Sequence, residues 1–324
     1  MTINEQANES SALASGELLY AGIDGGGSKT LVVVVDGLGR ERGRAEAGGA
    51  NQAAVGLDQA IGTIRAAIAD ALCIAGGTAP VRAAWFGLAG VDRPADQDIL
   101  LPFLRELAGV VRLTNDAELI LSALDGAVGV ALIGGTGAIA LGRDARGDTV
   151  RAGGWGHIVG DEGSGYDLGR RCLQAVLRAD DGRGPRTALL DLVRRAWRLA
   201  RPSDLIGHVY PEGDKRAIAG LAPLVLDAAR AGDPMARSIV ARGAQELALA
   251  ALTVADRLAF PDGLPLALAG GLLIHETDYR ESVLERVRQS RVISRVAIVA
   301  HPAESAARAA IGLGTSRGVL HTPE

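Results

Sequence analysis

The sequence predicts an α/β protein with two related lobes, each a mixed β-sheet flanked by helices. Short apolar runs typical of strands alternate with segments of helical periodicity along the 324 residues. A pattern of apolar strand, glycine turn and second apolar strand also occurs twice, in "YAGIDGGGSKTLVVVVDG" and "GVALIGGTGAIALGRD". The two copies lie about 110 residues apart, an offset too long for a solenoid repeat and suited to two related domains.

The first half of the chain begins with strands and continues with alternating helices and strands. The predicted strands are "ELLYAGID", "TLVVVVDGLGRE" and the continuation "ERGRAEAGG". Then follow a helix in "GLDQAIGTIRAAIADALCIAG", a strand in "VRAAWFGLAG", a helix in "ADQDILLPFLREL", a strand in "VVRLTND" and a helix in "AELILSALDG".

The second half begins with the repeated hairpin. Helices are predicted from Gly163 to Leu258, then a strand in "LPLALAGGLL", a helix over Tyr279–Gln289, a strand in "RVAIVA" and a final helix in "ESAARAAIGLG". We expect a disordered tail at 1–16, an N-terminal lobe at 17–125 and a C-terminal lobe at 126–302. The segment 303–324 is expected to pack back on the N-terminal lobe.

Composition excludes several classes of protein. Lys plus Arg is 34 and Asp plus Glu is 38, so the net charge of −4 lacks the basic footprint of a nucleic-acid binder. Apolar runs are too short for a membrane span, and residues 1–16 are too polar for a secretory signal. Cys73 and Cys172 form neither a C-x-x-C pair nor a disulfide framework, and we expect both to be structural. From this composition we expect a cytoplasmic protein without nucleic-acid or membrane partners.

The first glycine turn resembles half of a P-loop but fails its pattern. A P-loop has glycine directly before the lysine and opens a helix, whereas Ser28 precedes Lys29 and a β-branched run follows Thr30. A glycine turn can still aim backbone N–H groups at phosphate oxygens. The predicted phosphate-binding residues are Gly25, Gly26, Gly27, Ser28, Lys29 and Thr30. Asp24, just before the turn, is expected to hold Mg²⁺ through water.

The second glycine turn supplies a matching set of residues, Gly135, Thr136 and Gly137. The segment "GTGAIA" also fits the dinucleotide-binding fingerprint, but that fingerprint must open a helix. Here the following residues are typical of a strand, so Rossmann-type binding is rejected. Two tandem glycine hairpins instead favour a nucleotide clamped in a cleft between the two lobes.

Asp116 in "LTND" lies where a short strand meets a helix, a common position for a catalytic carboxylate in an α/β sheet. Phosphoryl transfer needs a group that orients a hydroxyl and accepts its proton. The residues alone also allow a second interpretation, in which Asp116 or Asn115 caps the following helix.

Four segments together resemble the actin, hexokinase and Hsp70 ATPase superfamily, and within it the N-acetylglucosamine kinases grouped with the BadF/BadG/BcrA/BcrD-type ATPases. They are "GIDGGGSKT", "TNDAELILSAL", "LIGGTGAIALGR" continuing to "GGWGHIVGDEGSGYDLG", and "LALAGGLL". The resemblance implies two actin-like (ribonuclease H-like) lobes, a homodimer, and ATP- and Mg²⁺-dependent phosphorylation of an amino sugar. N-acetylglucosamine, phosphorylated on its 6-hydroxyl, is the expected acceptor.

The same resemblance assigns roles to individual residues. Asp116 would be the catalytic base and, with Asn51, would contact the sugar. Gly154, Trp155 and Asp161 would complete the sugar site, with the indole against a sugar face and the carboxylate on a hydroxyl. Gly270 and Gly271, after an apolar strand, would let the backbone approach the adenosine. His157 is expected to be structural, and Ser164 lacks the spacing of a nucleophile elbow.

Alternatives remain open at this stage. Glucosamine, N-acetylmannosamine and N-acetylmuramic acid are other candidate acceptors, and residues 182–214 match nothing that would decide among them. An ATPase that activates a dehydratase through an iron–sulfur cluster is disfavoured, because two cysteines per chain give few ligands. A sugar-responsive repressor is disfavoured because the segment before Leu18 is too short for a helix-turn-helix domain.

Overall fold

A computed structural model describes residues 18–91, 93–210 and 215–315. The chain divides into two compact units, one formed by the residues up to Ala123 with those from His301 onward, the other by Leu124–Ala300. The tail expected at 1–16 lies outside the described residues, as does 316–324 of the expected C-terminal segment.

Within the described residues, the first unit contains five strands, four α-helices before the chain enters the second unit, and one α-helix near the end of the chain. The strands are β1 (Tyr20–Gly25), β2 (Thr30–Val35), β3 (Glu41–Ala47), β4 (Ala83–Leu88) and β5 (Val111–Thr114); the helices are α1 (Gln52–Val55), α2 (Leu57–Ala75), α3 (Pro94–Leu104), α4 (Asp116–Leu119) and, from the end of the chain, α13 (Pro302–Thr315).

The first sheet has the order β3-β2-β1-β4-β5. β1, β2 and β3 are antiparallel, whereas β4 and β5 run parallel to β1. Parallel strands end at one edge of a sheet, so the residues that follow β1, β4 and β5 lie along the same edge. Asp24 pairs with Gly87 across β1 and β4, and Gly87 pairs with Thr114 across β4 and β5. This register brings the end of β1 and the start of α4 to that edge.

Helix α13 packs on one face of this sheet and α2 on the other. The α13 face is formed by small side chains such as Ala303 and Ala307, buried against Tyr20, Leu31 and Val33. Gly22 in β1 makes this close approach possible, because a Cβ there would lie 2.0 Å from the carbonyl oxygen of Ala303.

The second unit repeats the same plan with more helices. Its strands are β6 (Gly129–Gly134), β7 (Ala138–Arg143), β8 (Thr149–Gly153), β9 (Leu264–Ala269) and β10 (Ile293–Ile298); its helices are α5 (Gly165–Asp180), α6 (Leu189–Ala196), α7 (Leu205–Val209), α8 (Lys215–Ala219), α9 (Ala222–Arg230), α10 (Pro234–Asp256), α11 (Gly271–His275) and α12 (Thr277–Arg288).

The second sheet has the order β10-β9-β6-β7-β8, which matches the first sheet strand for strand. Again the three hairpin strands are antiparallel, and β9 and β10 run parallel to β6. By its length and composition alone, helix α10 is long and apolar enough to cross a membrane. Its buried residues, among them Leu247 and Val254, belong to the core of this unit together with α5, α9 and α12.

Two segments differ from the sequence prediction or add to it. "AELILSALDG" forms the four-residue α4 followed by 3₁₀ turns at Ile120–Ala123 and Asp125–Ala127, where one continuous helix was predicted. Gly126 has φ +64°, a left-handed conformation that interrupts an α-helix. Residues 182–210 form α6, a 3₁₀ turn at Pro202–Asp204, and α7.

Candidate active site

The first glycine turn joins β1 to β2 and is held from one side. The N–H of Gly26 donates to the carbonyl of Lys29 at 2.8 Å, and the carbonyl of Gly26 accepts the N–H of Ala50 at 3.0 Å. Gly49 packs against the turn, where a Cβ would lie 2.3 Å from the carbonyl oxygen of Gly27. Gly27 itself is exposed, and a Cβ built there would meet nothing within 4 Å. The tip of the turn is therefore open to a ligand.

Thr30 and Lys29 differ in how they are placed at this turn. Thr30 is fully buried, and its hydroxyl donates to the carbonyl of Gly48 at 2.8 Å. This bond makes Thr30 a brace for the turn, where the sequence had predicted a donor to phosphate. Lys29 is exposed, with its Nζ 3.9 Å from Oε1 of Glu46. A long, exposed ion pair of this kind holds a lysine only weakly.

Two carboxylates share the edge of the first sheet beside this turn. Asp24 is half-buried at the end of β1, and Asp116 is exposed at the start of α4. Burial and the negative charge of Asp116 raise the pKa of Asp24 to about 6, while Lys29 opposes the shift. Two carboxylates that repel each other in this way form a site where a cation would be stabilised.

Asn115, not Asp116, caps α4 through its side chain. Its Oδ1 accepts the N–H of Glu118 at 2.7 Å, the expected bond of an N-cap asparagine. Asp116 occupies the first helical position, where its Oδ1 accepts the N–H of Ala117 at 3.0 Å. The capping role left open by the sequence thus belongs to the neighbouring residue.

Asn51 lies at the start of α1 on the loop that braces the first turn. Its Oδ1 accepts the N–H of Ala53 at 2.9 Å, so the side chain caps α1. Gly90 has φ +83°, and a Cβ there would lie 2.7 Å from Oδ1 of Asn51. With the oxygen turned to the backbone, the amide of Asn51 still provides two N–H donors.

The second glycine turn joins β6 to β7 and is held by the start of α5. The N–H of Gly135 donates to the carbonyl of Gly137 at 3.0 Å. The carbonyls of Gly135 and Thr136 accept the N–H groups of Gly165 and Tyr166 at 2.8 and 3.4 Å. The first N–H groups of α5 are thereby used to fix the turn.

Gly270 fixes the same turn from the end of β9. Its φ is +88°, and a Cβ there would lie 2.6 Å from the carbonyl carbon of Gly134. Only glycine combines this backbone conformation with so close an approach. Gly271 is exposed at the start of α11, with only the ring of His275 near the position of a Cβ.

Asp161 also acts on the second turn. It is buried at 4% exposure and has φ +60°, an uncommon conformation for a residue with a side chain. Its Oδ1 accepts the N–H of Ala138 at 3.1 Å, and its Oδ2 accepts a bond from Nζ of Lys215 at 2.7 Å. The carboxylate also lies beside Gly137, 3.0 Å from where a Cβ would be. In this arrangement Asp161 clamps the turn, where the sequence had predicted contact with a sugar hydroxyl.

The start of α5 is itself anchored by buried polar groups. Ser164 caps the helix by accepting the N–H of Asp167 at 3.2 Å. Burial raises the pKa of Asp167, but hydrogen bonds from Arg171, the N–H of Gly163 and Arg170 outweigh it and hold the pKa below its ordinary value. Tyr279 donates its hydroxyl to the carbonyl of Gly163 at 2.7 Å.

Trp155 stands on a glycine-rich loop after β8. Gly154 has φ +72°, and a Cβ there would lie 2.6 Å from Cδ1 of Ile139. The indole of Trp155 is 65% exposed, with the guanidinium of Arg151 4.5 Å from its ring centroid. An exposed aromatic face of this kind suits a sugar ring. His157 packs edge-on against the ring of Tyr166, at 5.0 Å between centroids, as a structural side chain would.

The cysteines do not form a metal site in the described part of the chain. Cys172 is buried in α5, and burial raises the pKa of its thiol to about 12. Cys73, for which a structural role was expected, is exposed on α2. Among the residues that the structure describes, no group of three or more His, Cys, Asp or Glu side chains is placed to hold a metal ion.

Lys215 and Tyr279 were missed by the sequence analysis. Each contacts the segment 161–163 from a distant part of the chain, and neither lies in a recognisable motif. One signal was present for Lys215: the chain contains only two lysines among its 34 basic residues, Lys29 and Lys215. One is at the first glycine turn, and the other bonds to the residue that clamps the second.

A family model described as the BadF/BadG/BcrA/BcrD ATPase family matches residues 21–310. The chain belongs to this family. It is 33% identical over 270 residues to an N-acetyl-D-glucosamine kinase of Dictyostelium discoideum, covering 78% of this chain and 85% of the relative. It is 36% identical over 197 residues to an N-acetylmuramic acid/N-acetylglucosamine kinase of Clostridium acetobutylicum. That second match covers 60% of this chain and 64% of the relative, just under two thirds of its length.

Solved structures show the same fold. A protein from Chromobacterium violaceum, provisionally named an N-acetylglucosamine kinase, superposes with a TM-score of 0.67 at 28% identity, covering 92% of this chain and 99% of that one. A second, from Porphyromonas gingivalis, gives a TM-score of 0.69 at 24% identity. The predicted α/β fold with two mixed sheets and the predicted family are both confirmed.

Proposed function

We propose that this protein is an ATP-dependent kinase that phosphorylates an amino sugar, with N-acetylglucosamine as its acceptor and the 6-phosphate as its product. The observation that carries the proposal is the pair Asp24 and Asp116 beside an open glycine turn. The substrate class is supported by the two curated relatives, each of which is named for kinase activity on an N-acetylated amino sugar.

Asp116 is the proposed catalytic base. It is exposed at the start of α4, and Asn115 relieves it of the capping role. Its carboxylate orients the acceptor hydroxyl and takes the proton as the oxygen attacks the γ-phosphate. The neighbouring Asp24 has a pKa raised to about 6 by burial and by the charge of Asp116, which still leaves the Asp24 carboxyl mostly ionised at neutral pH.

Asp24 is the proposed residue that holds Mg²⁺, directly or through water. Its half-buried carboxylate and the repulsion from Asp116 fit a hard cation that prefers oxygen ligands. When bound, Mg²⁺ neutralises charge on the phosphates. The Asp24 carboxylate must be deprotonated for this role, and a nearby cation lowers its pKa and favours that form.

The glycine turns are the proposed phosphate-binding elements. The first turn offers the backbone of Gly25, Gly26 and Gly27, with Ser28 and Lys29 as side-chain donors. The second offers Gly135 and Thr136, and Thr136 is exposed at its tip. Gly137 and Gly270 let the second turn hold its shape, and Gly271 leaves open backbone for a nucleotide.

The sugar is the proposed ligand of Asn51, Asp116, Trp155 and the backbone of Gly154. The indole face covers apolar C–H groups of the ring, and the amide donors of Asn51 point to its polar substituents. Asp161 contributes by holding the second turn in place, which is an indirect role. We further propose that the enzyme is cytoplasmic and homodimeric.

The proposal is tested by measuring ADP release from Mg-ATP, first without sugar and then with N-acetylglucosamine, glucosamine, N-acetylmannosamine and N-acetylmuramic acid. We expect release to depend strongly on N-acetylglucosamine. Dependence of ADP release on a different sugar would change the assigned acceptor but still support kinase activity. ADP release that no sugar alters would point to an ATPase, and no release under any condition would contradict enzyme activity.

A further inference from the structure

A cavity lined by arginines lies in the second unit between α5, α10 and the segment Gly184–Pro185. Its volume is about 220 Å³. Its polar lining consists of Arg171, Gln174, Arg178, Ser238 and Arg242, and no carboxylate lines it. The floor is formed by small and apolar groups that include Ala175, Met235 and Ile239. No residue of this cavity belongs to the proposed active site.

The positive charge continues from α10 to α12. A neighbouring cavity shares Ser238 and Arg242 with the first and adds Arg286 and a single acid, Glu246. Glu246 lies 3.9 Å from Nε of Arg242, at the limit of an ion pair, and the arginine side chain is 63% exposed. Arg178 donates to the carbonyl of Arg183 at 3.2 Å, a neutral partner. Of the three arginines that line the cavity, Arg171 pairs with the buried Asp167, whereas the described partners of Arg178 and Arg242 are a backbone carbonyl and the partly exposed Glu246.

The guanidinium groups that line the cavity favour phosphate as its ligand. A guanidinium presents several N–H donors in a planar fork that matches phosphate oxygens. The volume holds roughly seven waters at about 30 Å³ each, which is too little for a nucleotide and sufficient for a phosphate group with a small substituent. The apolar floor suits the carbon atoms of such a substituent.

Arg171 connects this cavity to the second glycine turn. Its Nε donates to Oδ2 of Asp167 at 2.9 Å, and the same oxygen accepts the N–H of Gly163 at 3.1 Å. Two residues further along the chain, the N–H of Gly165 holds the carbonyl of Gly135 at 2.8 Å. A phosphate that draws the Arg171 guanidinium toward the cavity weakens its bond to Asp167, and with it the anchor of α5 on the turn.

We propose that this arginine cavity binds a phosphate monoester or inorganic phosphate, and that occupancy loosens the second glycine turn and weakens ATP binding. The effect on ATP rests on the proposed kinase function, whereas binding to the cavity does not. A sugar phosphate, the product class of the proposed reaction, would then act as a feedback inhibitor from a second site.

Binding is tested by calorimetric titration of the full chain with inorganic phosphate and, separately, with N-acetylglucosamine 6-phosphate. Saturating AMPPNP and Mg²⁺ keep the nucleotide site filled. The double variant Arg178→Gln/Arg242→Gln should weaken binding about tenfold or more, the loss expected for charge-assisted bonds. Arg195→Gln, an exposed arginine of α6 that does not line the cavity, is the matched control and should bind as the wild type does.

Each outcome decides a stated part of the proposal. Equal affinity in the wild type and the double variant, or no binding by the wild type up to about 10 mM ligand, would overturn the site. Tighter binding of the sugar phosphate than of inorganic phosphate identifies the monoester as the ligand, and the reverse order identifies the free ion. Thermal unfolding midpoints that match across the variants exclude misfolding as a cause of lost binding.

The link to ATP is tested by steady-state kinetics with the same ligands. We expect the KM for ATP to rise about threefold or more in the wild type, as a typical coupling energy allows, and to stay constant in the double variant. Phosphate binding without any change in the KM for ATP would support the arginine cavity as a binding site but contradict its proposed effect on ATP binding. If the chain shows no kinase activity, the calorimetry still decides the site.

Discussion

The two glycine hairpins occupy equivalent places in matching sheets, but different groups hold them. The first turn has four residues and is hydrogen-bonded to the loop 48–50. The second has three residues and is fixed by the start of α5, by Gly270 and by the Asp161 carboxylate. Asp24 lies one residue before the last pair of the first hairpin, and the equivalent residue of the second is Ile133.

This comparison separates scaffold from chemistry. The strands and the turns are common to both units, whereas the carboxylates that we assign to metal binding and proton transfer lie in the first unit, at the end of β1 and at the start of α4. At the second hairpin the buried acid, Asp161, faces its own backbone and Lys215. We therefore expect substitutions at the first hairpin to reduce turnover or ATP affinity without loss of stability, and substitutions at the second to reduce stability as well as ATP affinity.

The largest expected effect is on turnover. Asp116→Asn removes the proposed base and should lower kcat by about 10²–10⁴-fold, the usual contribution of general base catalysis. AMPPNP affinity and the unfolding midpoint should change little, because Asn115 caps α4. Steady-state kinetics and calorimetry check both statements.

Asn115→Ala is the matched control. It should lower the free energy of unfolding by about 1 kcal/mol, the typical value of an N-cap, with a smaller loss of kcat. Equal losses of kcat in the two variants would show that the start of α4, not the Asp116 carboxylate, is what turnover requires.

A glycine pair tests the difference in packing. Gly270→Ala places a Cβ 2.6 Å from backbone at φ +88°, and should destabilise the protein by about 2–4 kcal/mol through strain and displacement. Gly27→Ala meets nothing within 4 Å and should leave the unfolding midpoint unchanged while raising the KM for ATP. A stable Gly270→Ala variant, or an unstable Gly27→Ala variant, would contradict the assignment of brace and open turn.

The role of Asp161 is tested by a split in KM values. Asp161→Asn keeps an acceptor for the Ala138 N–H and removes the charge that pairs with Lys215. We expect the KM for ATP to rise about three- to tenfold, as the loss of about 1 kcal/mol from one hydrogen bond would give, with the KM for sugar nearly constant. Lys215→Met should reproduce this pattern. A rise in the KM for sugar with Asp161→Asn alone would return Asp161 to the sugar site.

The smallest expected effect is a gain in stability. Asp24→Asn removes a carboxylate whose pKa in the folded protein is raised from 3.8 to about 6. Such a group favours folding below pH 4 and loses that contribution as the pH rises to 6. Relative to the wild type, the variant should therefore gain about 1–2 kcal/mol between pH 4 and 6 and keep the gain above pH 6. Urea unfolding across this range measures it, and a constant difference would contradict the raised pKa.

The sequence predicted those parts of the structure that depend on local residue patterns and on the internal repeat. Apolar runs and glycine turns predicted both hairpins and the α/β fold, because strand periodicity and turn chemistry are local properties. The start of α4 beside Asp116 was predicted for the same reason. The helix expected through "AELILSALDG" was wrong in part, since tertiary packing divides it into short turns.

Side-chain direction could not be predicted in the same way. Thr30 is buried toward Gly48, and Asp161 turns inward in a left-handed conformation that a single sequence does not reveal. Lys215 reaches Asp161 across 54 positions of the chain, and Gly270 is required by a backbone contact with β6. Each of these depends on pairs of residues distant in sequence, which one sequence does not specify.

The most direct test of the carboxylate pair is the pKa of Asp24, measured by ¹³C NMR titration of its side-chain carboxyl in the wild type and in Asp116→Asn. We predict titration near pH 6 in the wild type. We also predict a lower value in the variant, still above the ordinary one because burial is the largest cause of the shift. Adding Mg-AMPPNP to the wild type should lower the value further. Titration near pH 4 in the unliganded wild type, unchanged by Asp116→Asn, would contradict a catalytic pair at the first hairpin.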